Sequence, residues 1–479
     1  MLRDEVSFVI EENVNYPDYK SYCSPSEKYP EYRYMDISKE SNNVYKMIRK
    51  GFILLRLDKE NIGTKEWNPL GSYIKKGDTV LIKPNWVLHV NNEPVFHDME
   101  CMVTHPSVIR CVIDYVLIAL KGTGKIIVAD APIQKCHFEE LQQQMHYAEL
   151  WEYYHEKGID ISVIDLRDIV AAFSKNGTVS LENHKNPGML VKLNELSEFE
   201  NVDNDKISKM RITCYPTDAL QSHHNAGKHE YMIAGEVLSA DTIINLPKPK
   251  SHRKAGMTAC AKNFVGICTN KEYLPHHTIG EKASGGDEYL NKNIFLKLAS
   301  KALDNYNNAA YAQKKSVSYY HYKSFILNML GHKLCNEKYS EGSWWGNDTI
   351  WRTIVDLNYI VKYADKNGVI QNTEQRKIFN ICDMIVVGEK EGPMEPSPMK
   401  LGAIVMGDEC AVVDRFICEI FGFSSEKVPY ISYLLNKQNL TEEEIKINYK
   451  NKIFKFSEFK FNPKWHVIPT SGWLGHIEQ

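Results

Sequence analysis

The sequence predicts an α/β protein whose mostly parallel sheet is covered by helices on both faces. Three observations carry that expectation. The runs at 79–82 (TVLI), 125–129 (KIIVA) and 242–246 (TIINL) are apolar without alternation, as in strands buried on both faces. Segments of helical period stand between them, and such strand–helix alternation gives parallel strands joined by right-handed crossovers. Each run also leads into polar residues, and ligands of open parallel sheets gather at the carboxyl ends of strands.

Residues 1–50 are rich in Tyr, Ser, Glu, Asn and Pro without a sustained period, which reads as an adaptor segment ahead of a core over 51–435. A helix begins near Ser41. The strand Thr79–Ile82 delivers Lys83 and Asn85 to its carboxyl end. THPSVIRCVIDYVLIAL reads as a helix capped by Thr104, with Pro106 at its start and Val108, Val112, Tyr115, Val116 and Leu120 in the core. A second strand ends at Asp130, and a helix over 138–157 with the strand ISVIDL completes the alternation. The pattern weakens over 168–230, an inserted mixed section with antiparallel strands. Residues 290–366 read as a helical layer in which Arg352 and Asp356 have the spacing of an intrahelical ion pair. Strands return in DMIVVGE and KLGAIVMG, Asp408 is the expected cap of the next helix, and 436–479 form a C-terminal extension.

The stretch 241–268 concentrates the candidate chemistry. Pro247 and Pro249 end the strand ladder because proline donates no amide hydrogen, so the chain leaves as an open arm carrying Lys248, Lys250, His252, Arg253 and Lys254 without an acid among them. The small residues of AGMTACAKNFVGIC suit a short helix whose amino end favours anions. On that helix Thr258 and Lys262 stand four apart, so a hydroxyl and an ammonium converge on one ligand, with Asn263 beside them. Lys262 lies among apolar residues, and burial lowers an amine toward the range of a working base.

His276 and His277 follow on a loop, and Glu389, Glu391 and Glu395 make a tight acidic turn. His276, His277 and Glu391 are therefore the candidate ligands of a divalent metal, the one cofactor these side chains suggest. The eleven cysteines include no C-x-x-C pair, so no zinc ribbon or iron–sulfur cluster is expected. A net charge of −3 argues against a nucleic-acid partner, which needs a broad basic surface. The start, MLRDEVSFVI, carries acids where a signal peptide carries bases, and no apolar stretch reaches bilayer length. The expectation is a cytoplasmic protein without a membrane partner.

IKPN at 82–85, THPSVIRCVI at 104–113, NLPKPKSH at 245–252, the set Thr258, Lys262, Asn263 and Gly266, EGP at 391–393 and GDECAVVDRF at 407–416 occur together in this order. In that combination the chain resembles the domain of unknown function 362 family from about 75 to 435. Many relatives of this type carry an appended ferredoxin-like module, whose cysteine runs this chain lacks. Its plan is also similar, at the level of fold alone, to the nickel-pincer lactate racemase and its epimerase relatives. The residues point to an enzyme for a small anionic sugar or hydroxy acid. Lys83, Asn85, Lys248, Lys250, Thr258 and Asn263 would bind it, and Lys262 or His252 would move a proton. The alternatives are a metal-dependent enzyme and a non-catalytic protein that binds a phosphorylated ligand or partner.

Overall fold

The computed structural model describes residues 2–173, 179–213 and 215–479. Its centre is an eleven-stranded sheet. In chain order the strands are β1 (Glu5–Ile10), β2 (Thr79–Pro84), β3 (Lys125–Asp130), β4 (Ile161–Asp165), β5 (Thr242–Leu246), β6 (Lys250–His252), β7 (Gly256–Thr258), β8 (Lys377–Glu391), β9 (Glu395–Gly407), β10 (Lys446–Tyr449) and β11 (Lys452–Lys455). Across the sheet they run β11-β10-β1-β9-β8-β5-β2-β3-β4, and β6 pairs with β7 and with β8. Strands β8, β5, β2, β3 and β4 are parallel neighbours. The β8–β9 hairpin is antiparallel, and β1 lies antiparallel to β9 and parallel to β10.

The helices are α1 (Asn43–Leu54), α2 (Pro106–Leu120), α3 (Phe138–Gln144), α4 (Tyr147–Glu156), α5 (Cys260–Asn263), α6 (Ile294–Tyr311), α7 (Val317–Cys335), α8 (Ile350–Tyr363), α9 (Cys410–Ile420) and α10 (Pro429–Lys437), besides two short ones in the insertion and one just after it, at Gly235–Ser239. Val80, Ile82, Ile244 and Phe379 face a core shared with α1, α2 and α4. Leu81, Ile243 and Cys382 face the opposite core, built with α8, α9 and α10. Alternate residues of each inner strand therefore enter different cores, which is why these runs show no polar alternation.

The ends of the chain are part of this sheet. β1 sits between β9 and β10, so the segments expected as adaptor and extension both supply strands to it. Their sequences gave no such sign because the pairing partner of β1 lies some four hundred residues away. In the insertion, Ile169–Phe173 pairs antiparallel with Val179–Asn183, and Met189–Lys192 with Lys228–Ile233. The helix expected over 138–157 breaks at His146, whose φ of 56° is left-handed. His105, not Thr104, caps α2; the Thr104 hydroxyl instead accepts from Asn85 N at 2.8 Å and donates to Leu246 O at 2.6 Å. Asp408 does not cap α9 but accepts from Leu2 N at 2.7 Å. Arg352 pairs with Asp348 at 3.3 Å, while Asp356 accepts from Ser197 and Tyr231.

From β2 the chain runs outward through β3 and β4, and then returns to place β5 on the other side of β2. This reversal opens a crevice at the carboxyl ends of β2 and β5, the position where α/β sheets hold ligands.

Candidate functional site

Both prolines end β5 as the sequence predicts, but the arm is not open. Lys248, Lys250, His252 and Lys254 are buried, because β6 and β7 fold into a hairpin whose Lys250 pairs with Gly388 of β8. Thr258 lies in β7 and not in the helix, so its expected convergence with Lys262 on one helical face does not occur. α5 has four residues, and its first amides are already taken. The Asp414 carboxylate accepts from Cys260 N at 2.7 Å and from Ala261 N at 2.9 Å. The anion at this helix start is thus the protein's own.

Across the crevice runs a chain of amides. Lys250 Nζ donates to Asn85 Oδ1 at 2.7 Å, Asn85 Nδ2 to Asn263 Oδ1 at 3.0 Å, Asn263 Nδ2 to Asn245 Oδ1 at 2.8 Å, and Asn245 Nδ2 to Asn380 Oδ1 at 2.8 Å. It ends where Asn380 Nδ2 meets Gly407 O at 3.1 Å. Parallel register makes this possible, since Asn245 has Lys83 and Asn380 as its lateral partners and all three share one face. Every link is directional, so the chain fixes which way Asn85 and Asn263 point.

Two of the lysines are neutralised. Lys83 pairs with Asp130 at 2.7 Å, and Lys248 with Asp383 at 2.7 Å, all four side chains being buried. Asp130 also accepts from Trp86 N at 2.7 Å. Asp383 accepts from Tyr16 at 2.6 Å and from His105 N at 2.9 Å, and Tyr16 stacks on His105 at 3.8 Å. Gly266 leaves room for the first pair, since a Cβ there would lie 2.0 Å from Asp130 Oδ1 and 2.8 Å from Lys83 Nζ. The glycine of the Lys-Asn-x-x-Gly segment is thereby accounted for by a buried ion pair and not by backbone freedom.

Four others, Lys250, Lys254, Lys262 and Lys271, are buried without a carboxylate partner among the described residues. Lys250 also donates to Met102 O, and Lys254 to Glu341 O. Lys271 donates to Val265 O at 3.4 Å. Lys262, 9% exposed, makes no hydrogen bond or ion pair with a described residue. Burial, and then the charges of Lys271 and Lys254, push Lys262 down to about 7. Burial, with Lys248 and Lys262 adding to it, pushes Lys250 down to about 7, and burial brings Lys271 to about 8. Lys262 feels the charges of Lys271 and Lys254, and Lys250 that of Lys262, so the four amines share one region.

His252 and His276 border it. Burial and the Lys262 charge hold His252 well below the usual histidine range; burial, Lys254 and Lys262 do the same for His276. His252 Nδ1 accepts from Lys254 N at 3.1 Å and Ala255 N at 3.2 Å, so its proton sits on Nε2. His276 Nδ1 lies 2.8 Å from Leu274 O and carries the proton, which leaves Nε2 bare. A narrow depression with room for about one water lies beside Lys271, lined also by Gln134, Arg167, Asn270 and Glu272.

The residues expected to hold a metal do not meet. His277 Nδ1 lies 3.4 Å from Lys254 Nζ, and Glu391 accepts from Ser471 N at 2.8 Å in the C-terminal tail. Among the described residues the one group of suitable spacing is His89, His137 and Glu140. There His89 Nδ1 already accepts from His137 N at 3.1 Å, which leaves its proton on Nε2, the nitrogen turned to Glu140. Sequence reading missed Lys271, Asp383, Asp414 and Tyr16. Lys271 stands three residues after Cys268 and was within reach of the same analysis; the others become partners only through the fold.

No curated protein matches this chain. A family model does, over residues 80–204 and 194–419, and these ranges hold every strand and lysine of the crevice. The chain belongs to the family described as domain of unknown function (DUF362).

Proposed function

We propose that this protein is an enzyme for a small anionic metabolite, a carboxylate- or phosphate-bearing sugar or hydroxy acid, which it converts by proton transfer of the isomerase or epimerase type. The observation that carries this reading is Lys262, a buried amine near 7 without an acidic partner among the described residues, set among three further buried lysines that form no salt bridge there. A bound anion supplies the missing negative charge, and Lys250, Lys254 and Lys271 hold it. Unprotonated Lys262 then takes the proton from the carbon beside the substrate's carbonyl or carboxyl group. His252, neutral and protonated on Nε2, donates a hydrogen bond to the oxygen that gains charge, as a neutral imidazole can. The reducing cytoplasm suits a chain whose ten described cysteines are all free thiols.

The test is hydrogen exchange in D2O. Wild-type protein, incubated with a panel of 2-hydroxy acids and sugar phosphates, puts deuterium on carbon in at least one compound by NMR, and Lys262→Met does not. Exchange that persists in Lys262→Met overturns the assignment. Thermal stabilisation by phosphate or hydroxy acids without exchange of any of them favours a binding protein, which the same lysines would equally serve.

A further inference from the structure

The hairpin of α6 and α7 presents a surface that the fold leaves unused. On α7, Tyr319, Tyr322, Phe325, Ile326 and Met329 are 61%, 56%, 64%, 49% and 39% exposed. At the turn of an α-helix these positions fall on one arc about 120° wide. The opposite side of α7 is the packed one: Val317 and Gly331 are buried, and a Cβ on Gly331 would lie 2.6 Å from the Leu296 side chain of α6. Asn293 Nδ2 donates to Gly331 O at 3.1 Å, which ties the start of α6, with its exposed Ile294 and Leu298, to the end of α7. The outer side of α7 is therefore apolar over residues 319–329, with Ser318 and Lys333 flanking that stretch on the same arc, an arrangement that marks an interaction surface.

Charge selects the partner. Residues 305–336 contain no Asp or Glu and carry Lys314, Lys315, Lys323 and Lys333, in a chain where acids outnumber bases by 61 to 58. A second copy apposed through this face by a two-fold axis would bring Lys323 and Lys333 toward their own equivalents with no acid to offset them. We propose that the outer face of α7 docks on an anionic bilayer surface, with Phe325, Ile326 and Met329 at the acyl boundary and the lysines among the headgroups. Lysine stems cover apolar surface while their ammonium groups reach the phosphates, and tyrosine rings suit the same boundary. No helix among the described residues is long and apolar enough to cross a membrane, so the contact lies in the plane of the surface. The expectation of no membrane partner rested on the lack of a spanning stretch, and a docked helix needs none.

The test sediments the full chain with vesicles of phosphatidylcholine and phosphatidylglycerol at three to one, and with vesicles of phosphatidylcholine alone. The anionic vesicles retain on the order of ten times more protein, and high salt lowers that excess. Phe325→Glu with Ile326→Glu abolishes retention; both residues are exposed, so the circular dichroism spectrum and melting temperature stay those of the wild type. Equal, negligible retention on both vesicle types overturns the proposal, as does retention that survives the double substitution. A dimer in sedimentation velocity that the double substitution dissociates, without vesicle binding by the wild type, also overturns it and assigns the face to a second copy.

Discussion

Replacing Gly266 by alanine puts a methyl carbon 2.0 Å from Asp130 Oδ1 and 2.8 Å from Lys83 Nζ. Neither neighbour can give way cheaply. Asp130 is held through one oxygen by Lys83 and through the other by Trp86 N, and both members of the ion pair are buried. Forcing a methyl group into such packing costs about 1–3 kcal/mol by displacement alone. If the carboxylate instead turns away, Lys83 is left as a buried charge without its partner, at about 3–5 kcal/mol. Gly266 lies in a helical turn without a left-handed φ, so alanine is conformationally favoured there by up to about 1 kcal/mol, and the loss is steric. The expected net loss is about 3 kcal/mol, read from urea unfolding followed through the fluorescence of eight tryptophans. Gly235→Ala is the control, since a Cβ there meets nothing within 4 Å, and it stays within about 0.5 kcal/mol of the wild type. In a double-mutant cycle Asp130→Ala removes the obstructing oxygen, so the Gly266→Ala penalty shrinks by about 1–3 kcal/mol. A Gly266→Ala loss below about 1 kcal/mol, or strict additivity with Asp130→Ala, refutes the reasoning.

Asp383→Asn leaves Lys248 charged, buried and facing a neutral amide, and lowers stability by about 3–5 kcal/mol; a urea midpoint close to wild type would show that the pair carries no such role. Lys262 predicts a pH dependence whose sign is fixed: its folded pKa of about 7 lies below the ordinary lysine value of 10.5, so between those limits the unfolded chain binds more protons and stability rises with pH. Below pH 7 the penalty is present in full. Lys262→Met removes that group's share, so the variant exceeds the wild type in stability at pH 6 and the gap narrows by pH 9; an unchanged gap in matched urea titrations would contradict the assigned pKa.

The amino-acid order alone specified the parallel architecture, and it sets a cluster of lysines and asparagines in the stretch 241–268. The inner strands announce themselves because burial on both faces demands apolar residues at consecutive positions, and that demand is local. Pro247 and Pro249 likewise end β5 by their own covalent geometry. The strands at the two ends of the chain were not legible, because β1 is a strand by virtue of β9 and β10, which other parts of the sequence supply. Charge state belongs wholly to the tertiary structure. Lys83, Lys248 and Lys262 look alike in the sequence, yet the fold brings an aspartate to the first two and none to the third. A residue type fixes what a side chain can donate or accept; what meets it in a medium of low dielectric is decided by chain segments far away, and only folding brings them together.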